Sequence, residues 1–310
     1  WLDKAAIVIP TQTLDEQWWR LCRVTRVEET KAVVRTIPVW LTFILCGVVS
    51  ATPLTYFVAQ LDHMNPKVGR VKVHIVVFIM PYIIFVNVCG RCYRKVTKSF
   101  SGSRLQMSSF VGIITSMIIG ILCFITAAKV ESRRLGVVRS HGLVDKPDET
   151  VPMNMFWLLP QFLLAGIFEG ILKKSVVLFF KDNIPVFMEK FLPHLVDCVY
   201  GVGFMGNILS VHVLGKISER GGKMNWFQLD INQSRVDKYY WTLSWLMAVN
   251  LVMFVVAAIS STLSLGCKQV SRIAAAPMFG IAASMILAIL CCITAAKVVV
   301  GYQTAQLHKA

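Results

Sequence analysis

The chain is 310 residues long, 55% hydrophobic and only 16% charged, with mean hydropathy +0.62 and a net charge of +15. An ordinary soluble domain carries about 25% charged residues, so this composition excludes one. The basic excess falls mostly between apolar runs, without an aromatic–basic recognition module, which points to lipid head groups and away from nucleic acid.

The first 35 residues mix charge and apolar side chains and read as a cytosolic linker rather than a signal peptide, which would need a basic flank and a short apolar core. Beginning on Trp1 in this way, the sequence reads as the middle of a longer protein. Six apolar stretches follow: Ile37–Ala59, Val71–Val88, Phe110–Ala128, Met153–Phe180, Leu195–Leu214 and Tyr240–Ser260. A helix needs about 20 mostly apolar residues to cross the hydrocarbon core, and each spanning segment must satisfy its own backbone hydrogen bonds. The expectation is an all-α, polytopic transmembrane bundle over residues 36–265.

The segment Arg91–Arg104 holds Arg91, Arg94, Lys95, Lys98 and Arg104 with no acid, and reads as a cytosolic loop. Alternation then puts Lys181–Lys190 inside, and Leu61–Arg70, Glu131–Val151 and Ser218–Lys238 on the far side. Residues 266–310 carry an internal copy. Gly112–Val130 (GIITSMIIGILCFITAAKV) and Gly280–Val298 (GIAASMILAILCCITAAKV) share fourteen of nineteen positions at an offset of 168. Transporter repeats are usually weak symmetries between multi-helix units. This copy reads as an extra apolar helix: either a seventh span, or exon material of a related gene joined to the end.

Most of the nine cysteines, among them Cys46, Cys123, Cys198, Cys291 and Cys292, lie inside apolar stretches as small packing groups. Cys89 and Cys92 form a single C-x-x-C, too little for a metal site. The six histidines are scattered, with no clustered nucleophile or metal set, so neither enzyme chemistry nor a cofactor is expected.

Glu169 stands out in the fourth stretch. A carboxylate in the bilayer core costs about 2.5–3.5 kcal/mol on insertion scales and usually has a functional reason to be there. Desolvation and a nearby cation act on such an acid in opposite directions, so it can be poised to take and release a proton. Its plain structural alternative is an ion pair with Lys173 at i+4. Gly166 and Gly170 beside it would allow close helix approach, and Pro160 a bend. Asn207 and Ser210, and Gln161 near the start of the fourth stretch, are candidates to line a substrate cavity or to hold helices together. Lys173 and Lys174 read as snorkelling side chains or as a preference for an anionic substrate. Trp157 and Trp241 read as interfacial anchors, and Asp197, near a helix end, as a cap or a second proton-carrying group.

A series of motifs runs through these stretches. They are LDKAA at Leu2–Ala6, W-R-L-C-x-V-T-x-V-E-E-x-K at Trp19–Lys31, I-P-V-W at Ile37–Trp40, and Val130-Glu131 with Arg133-Arg134-Leu135. Then come F-W-L-L-P-Q at Phe156–Gln161, F-F-K-D-N-I-P at Phe179–Pro185, G-x-x-G-N-x-x-S at Gly203–Ser210, and D-K-Y-Y-W at Asp237–Trp241. In order and spacing this series resembles the second half of plant nitrate/peptide transporters, the proton-dependent oligopeptide (PTR/POT) branch of the major facilitator superfamily. The resemblance covers Trp1 to about Ile259. It implies the C-terminal six-helix half of a twelve-helix major facilitator fold, here with one extra apolar helix, in a plasma or vacuolar membrane. It implies proton-coupled symport of nitrate, di- or tripeptides or another small solute, with Glu169 on the proton-coupling acid and Ser50, Gln161, Asn207 and Ser210 facing substrate. It also implies a partner, the missing N-terminal half with the family's E-x-x-E-R motif; the alternative is a non-transporting, truncated or regulatory half-transporter. Ser50 stands where the nitrate-selective relative carries a histidine, and Leu178 where the family usually carries an acid.

Overall fold

The computed structural model describes residues 24–68, 71–98, 103–146, 149–181, 186–220 and 224–266. The motif at Leu2–Ala6 and the copied segment Gly280–Val298 lie outside the described residues.

Helix α1, Val24–Ala51, begins inside the expected linker and runs without interruption into the first apolar stretch. It ends where Pro53 can donate no backbone hydrogen bond, and a 3-10 turn, Thr52–Leu54, follows. The Thr55 hydroxyl covers the Ala51 and Thr52 carbonyls at 3.1 and 3.2 Å across this break. A short helix α2, Tyr56–Asp62, completes the first membrane crossing. Two small sheets cap this end. Strand β1, Met64–Asn65, pairs in parallel with β4, Val151–Asn154, and β2, Lys67–Val68, pairs antiparallel with β3, Val71–Lys72.

Helix α3, Val76–Thr97, starts later than the expected stretch and swallows Arg91, Arg94 and Lys95. The basic run therefore extends a helix, because backbone bonding continues after the side chains turn polar. Helix α4, Ser103–Ser140, likewise takes in Glu131 and Arg134. Its 38 residues reach about 57 Å at 1.5 Å per residue, well beyond the hydrocarbon core of about 30 Å. The fourth stretch splits: Met153 falls in β4, Met155–Leu158 form a 3-10 turn, and helix α5 spans Leu159–Lys181. Asn154 caps the turn, its Oδ1 accepting from the Phe156 amide at 3.0 Å. Helices α6, Leu192–Ser218, and α7, Val236–Gly266, complete the bundle.

Among the described residues, five segments are long and apolar enough to cross a membrane: Ile37–Asp62, Val76–Thr97, Ser108–Ser140, Glu189–Ser218 and Val236–Ala258. The sixth, α5, carries Glu169, Lys173 and Lys174 and is packed between α3 and α4. Neighbours run in a ring: α3 on α5, α5 on α4, α4 on α7, α7 on α1, α1 on α6. The ring closes only sparsely, between α6 and α5. Aromatic pairs fill its interior, including Trp40 stacked on Phe180 at 3.9 Å between centroids and Phe57 edge-on to Phe162 and Tyr240 at 5.5 and 5.6 Å. Met205, Ile208 and Leu209 on α6 and Ile84 on α3 face outward, an apolar exterior suited to lipid or a second bundle.

Candidate functional site

Glycines bring α3 and α5 together. A Cβ on Gly170 would lie 2.5 Å from the Val86 carbonyl oxygen, and one on Gly166 would lie 2.8 Å from that of Tyr82. Only a missing side chain allows backbones this close. The same approach places Glu169 beside Tyr82. The Tyr82 hydroxyl donates to Glu169 Oε2, while Lys173 Nζ reaches Oε1 at 2.9 Å. Both carboxylate oxygens are thus engaged. The Glu169 side chain is 9% exposed and that of Lys173 36%, so solvent reaches the cation far more readily than the acid. Lys173 Nζ also stands 5.3 Å from the ring centroid of Tyr200 on α6, a cation–π contact across the sparse junction. The Tyr200 hydroxyl is buried and has no hydrogen-bond partner among the described residues.

Gln161, two turns before Glu169, belongs to a different group. Its Nε2 donates to Gln60 Oε1 at 3.1 Å, and Gln60 Nε2 donates to Glu131 Oε2 at 2.7 Å. Arg134 then grips Glu131 with two bonds of 2.8 Å, from Nε and Nη2. It continues to Asn232 Oδ1 at 2.7 Å and the Ile231 carbonyl at 3.0 Å. Glu131, Arg134, Gln60 and Gln161 are all buried. This chain of polar groups ties α2, α4, α5 and the segment before α7 into one unit. Gln161 Oε1 is left without a partner among the described residues.

Asn207 and Ser210 form a third group. Asn207 Nδ2 donates to the Val48 carbonyl at 3.0 Å and to the Tyr239 hydroxyl at 3.2 Å, and Ser210 Oγ meets that hydroxyl at 3.0 Å. Their bonding capacity therefore joins α1, α6 and α7. A Cβ on Gly203 would come within 2.5 Å of Gly47 Cα, the closest approach of α1 and α6. Ser50 lies near the end of α1, buried, its hydroxyl unpartnered among the described residues. Trp157 takes the Arg133 guanidinium over its ring at 4.1 Å, as an exposed end-of-bundle side chain can.

The five residues chosen from sequence thus fall into separate places, and no hydrogen bond joins Glu169 to Gln161, Ser50, Asn207 or Ser210 among the described residues. Sequence reasoning missed Tyr82, Tyr200 and Gln60. Glu131 and Arg134 had a signal, two opposite charges at i and i+3 at the end of an apolar run. Tyr82 had none, since it stands 87 positions from Glu169.

The POT family model matches residues 2–227. Among curated relatives, Protein NRT1/ PTR FAMILY 5.5 of Arabidopsis thaliana is 38% identical over 261 residues, covering 82% of this chain and 49% of that protein. Protein NRT1/ PTR FAMILY 5.10 of the same plant is 30% identical over 242 residues, covering 76% and 43%. Protein NRT1/ PTR FAMILY 5.4 is 31% identical over 271 residues, covering 83% and 47%. The chain spans about half the length of the curated relatives it matches.

Proposed function

The chain belongs to the POT family of membrane transporters, in its plant nitrate/peptide (NRT1/PTR) group, and from that premise we propose that it is the C-terminal six-helix bundle of a proton-coupled secondary transporter. Its cargo is nitrate, a di- or tripeptide or another small solute, and its other bundle is the N-terminal half. It is an integral multi-pass membrane protein, and members of the family are transporters rather than enzymes. The single observation that carries the proton reading is Glu169: a buried acid held by a neutral donor on one side and a cation on the other. Tyr82 reaches the carboxylate from α3 and Lys173 stands at the sparse α5–α6 junction, so the contacts around Glu169 can change as access alternates. Gln161 and Ser50 retain buried polar atoms with unused capacity for substrate, while Asn207 and Ser210 contribute to the site by fixing α1, α6 and α7.

Glu169→Gln keeps shape and hydrogen bonding and removes the titrating group. Paired with the N-terminal half in proteoliposomes, this variant loses accumulation driven by a proton gradient and keeps substrate exchange. Unchanged pH dependence of uptake overturns the assignment of Glu169. The second reading is a single six-helix bundle that does not transport by itself. Alternating access needs two bundles rocking about one site. Expressed alone in oocytes at acid external pH, the chain gives no uptake of nitrate or dipeptide above background; robust uptake refutes the half-transporter reading. A fluorescent fusion distinguishes the plasma membrane from the vacuolar membrane, the two proposed locations.

A further inference from the structure

The sparse junction between α5 and α6 holds an imbalance of charge. Glu169 and Asp197 are its carboxylates, and Lys173, Lys174 and Arg94 are its cations. Three cations against two acids leave one positive charge over. Tyr82 from α3 donates to Glu169, Tyr200 from α6 lies under Lys173, and Cys46 from α1 and Asp197 from α6 lie within electrostatic reach of Tyr200. Lys174 has Arg94 and Asp197 within the same reach. At the centre stand a half-exposed ammonium and a buried tyrosine hydroxyl with no partner among the described residues. An ammonium has three donors and a phenol one, and both suit a small oxyanion.

We propose that Lys173, with the Tyr200 hydroxyl, is an anion-binding site that opens when Glu169 takes up a proton. The ligand class is a small monovalent oxyanion, either nitrate or the carboxylate of a small organic solute. This rests on the reading that Glu169 is the proton-coupling group.

In the resting state Lys173 pairs with the Glu169 carboxylate, and the pair is neutral. Protonation converts Glu169 to a neutral acid that still bonds with Tyr82, and leaves the ammonium without a counter-charge. A buried or half-buried charge without a partner is costly, so the ammonium takes the anion in exchange. One proton and one anion enter together, the proton going to the Glu169 carboxylate and the anion to Lys173 as an ion pair. The Glu169–Lys173 pair, with the anion it takes up, is neutral before and after. Linkage requires reciprocity: the anion favours protonation of Glu169 by the same factor as protonation favours the anion. Lys173 is able to do this because it is i+4 from Glu169 and lies over Tyr200 across the loosest contact of the ring.

The test uses the chain purified together with its N-terminal half, in detergent and weak buffer with a pH-indicating dye. Nitrate, Ala-Ala, and Ala-Ala with its carboxylate amidated are added in separate arms. Wild type takes up about one proton per anion bound with nitrate or with Ala-Ala, and none with the amide; which arm responds identifies the anion's source. Lys173→Gln abolishes the uptake and weakens anion binding about tenfold to a hundredfold, the worth of a charge-assisted bond, whereas Lys173→Arg restores both. Glu169→Gln still binds the anion, without proton uptake and without pH dependence. Proton uptake that persists in Lys173→Gln overturns the site and leaves Glu169's role standing. Proton uptake that persists in Glu169→Gln overturns the role of Glu169 itself. An equal response to the amidated dipeptide, or no response of wild type to either anion, refutes the oxyanion site.

Discussion

Replacing Arg134 with Met retains the length and apolar stem of the side chain and removes its guanidinium. Four hydrogen bonds go with it: two to Glu131, one to Asn232 and one to the Ile231 carbonyl. Glu131 is fully buried and, among the described residues, keeps only the Gln60 amide. The loss is therefore dominated by a buried carboxylate stripped of its bidentate partner, worth about 3–5 kcal/mol. For a bundle of this size that lowers the melting temperature by about 6–20 °C. Glu131→Gln in the Arg134→Met background removes the stranded charge while its amide can still meet Gln60. The double variant should recover most of the loss, with a coupling of about 1–3 kcal/mol. A thiol-reactive dye can follow unfolding of the detergent-purified chain. Cys92 and Cys198 are exposed and label at once, whereas Cys46 and Cys123 are buried and label only on opening. Melting of Arg134→Met within about 2 °C of wild type, or strict additivity in the double variant, would refute the network as a structural clamp.

Gly203→Ala forces a Cβ to within 2.5 Å of Gly47 Cα and the Ile44 carbonyl and should cost about 1–3 kcal/mol in the same melt; Gly201→Ala, with nothing within 4 Å, should be neutral or gain up to about 1 kcal/mol, and equal effects would refute the α1–α6 packing. Asn207→Leu deletes bonds to Val48 and Tyr239 and should lower stability by about 1 kcal/mol without changing KM in the complete transporter; a raised KM at unchanged stability would make Asn207 a substrate ligand instead. Removing residues 267–310, which hold the near-copy of Gly112–Val130, should leave expression and uptake by the complete transporter intact, and loss of either would make that segment a working part of the fold.

The sequence alone determined the solvent, the secondary structure class and the family. Hydropathy is a sum of local transfer energies, so a run of apolar residues declares a membrane helix whatever it packs against. The order of motifs from Trp19 to Trp241 needs no coordinates either, and an acid at Glu169 is conspicuous because the cost of placing it among apolar residues is local. Helix ends were less legible. Arg91–Lys95 and Glu131–Ser140 look like loops by charge, yet they continue α3 and α4, because backbone hydrogen bonding does not stop where lipid does. Only the tertiary structure decided which polar groups meet. Lys173 could be paired with Glu169 from its i+4 spacing, but Tyr82 reaches the same carboxylate from another helix, through an approach set by Gly166 and Gly170. Gln161 joins Glu131 and Arg134 through Gln60, and Asn207 joins Val48 to Tyr239, over separations of 32 to 159 positions between partners on different helices. Such pairs depend on how each helix is rotated and which neighbour it meets, and that is fixed by the packing of whole faces rather than by any short stretch of chain.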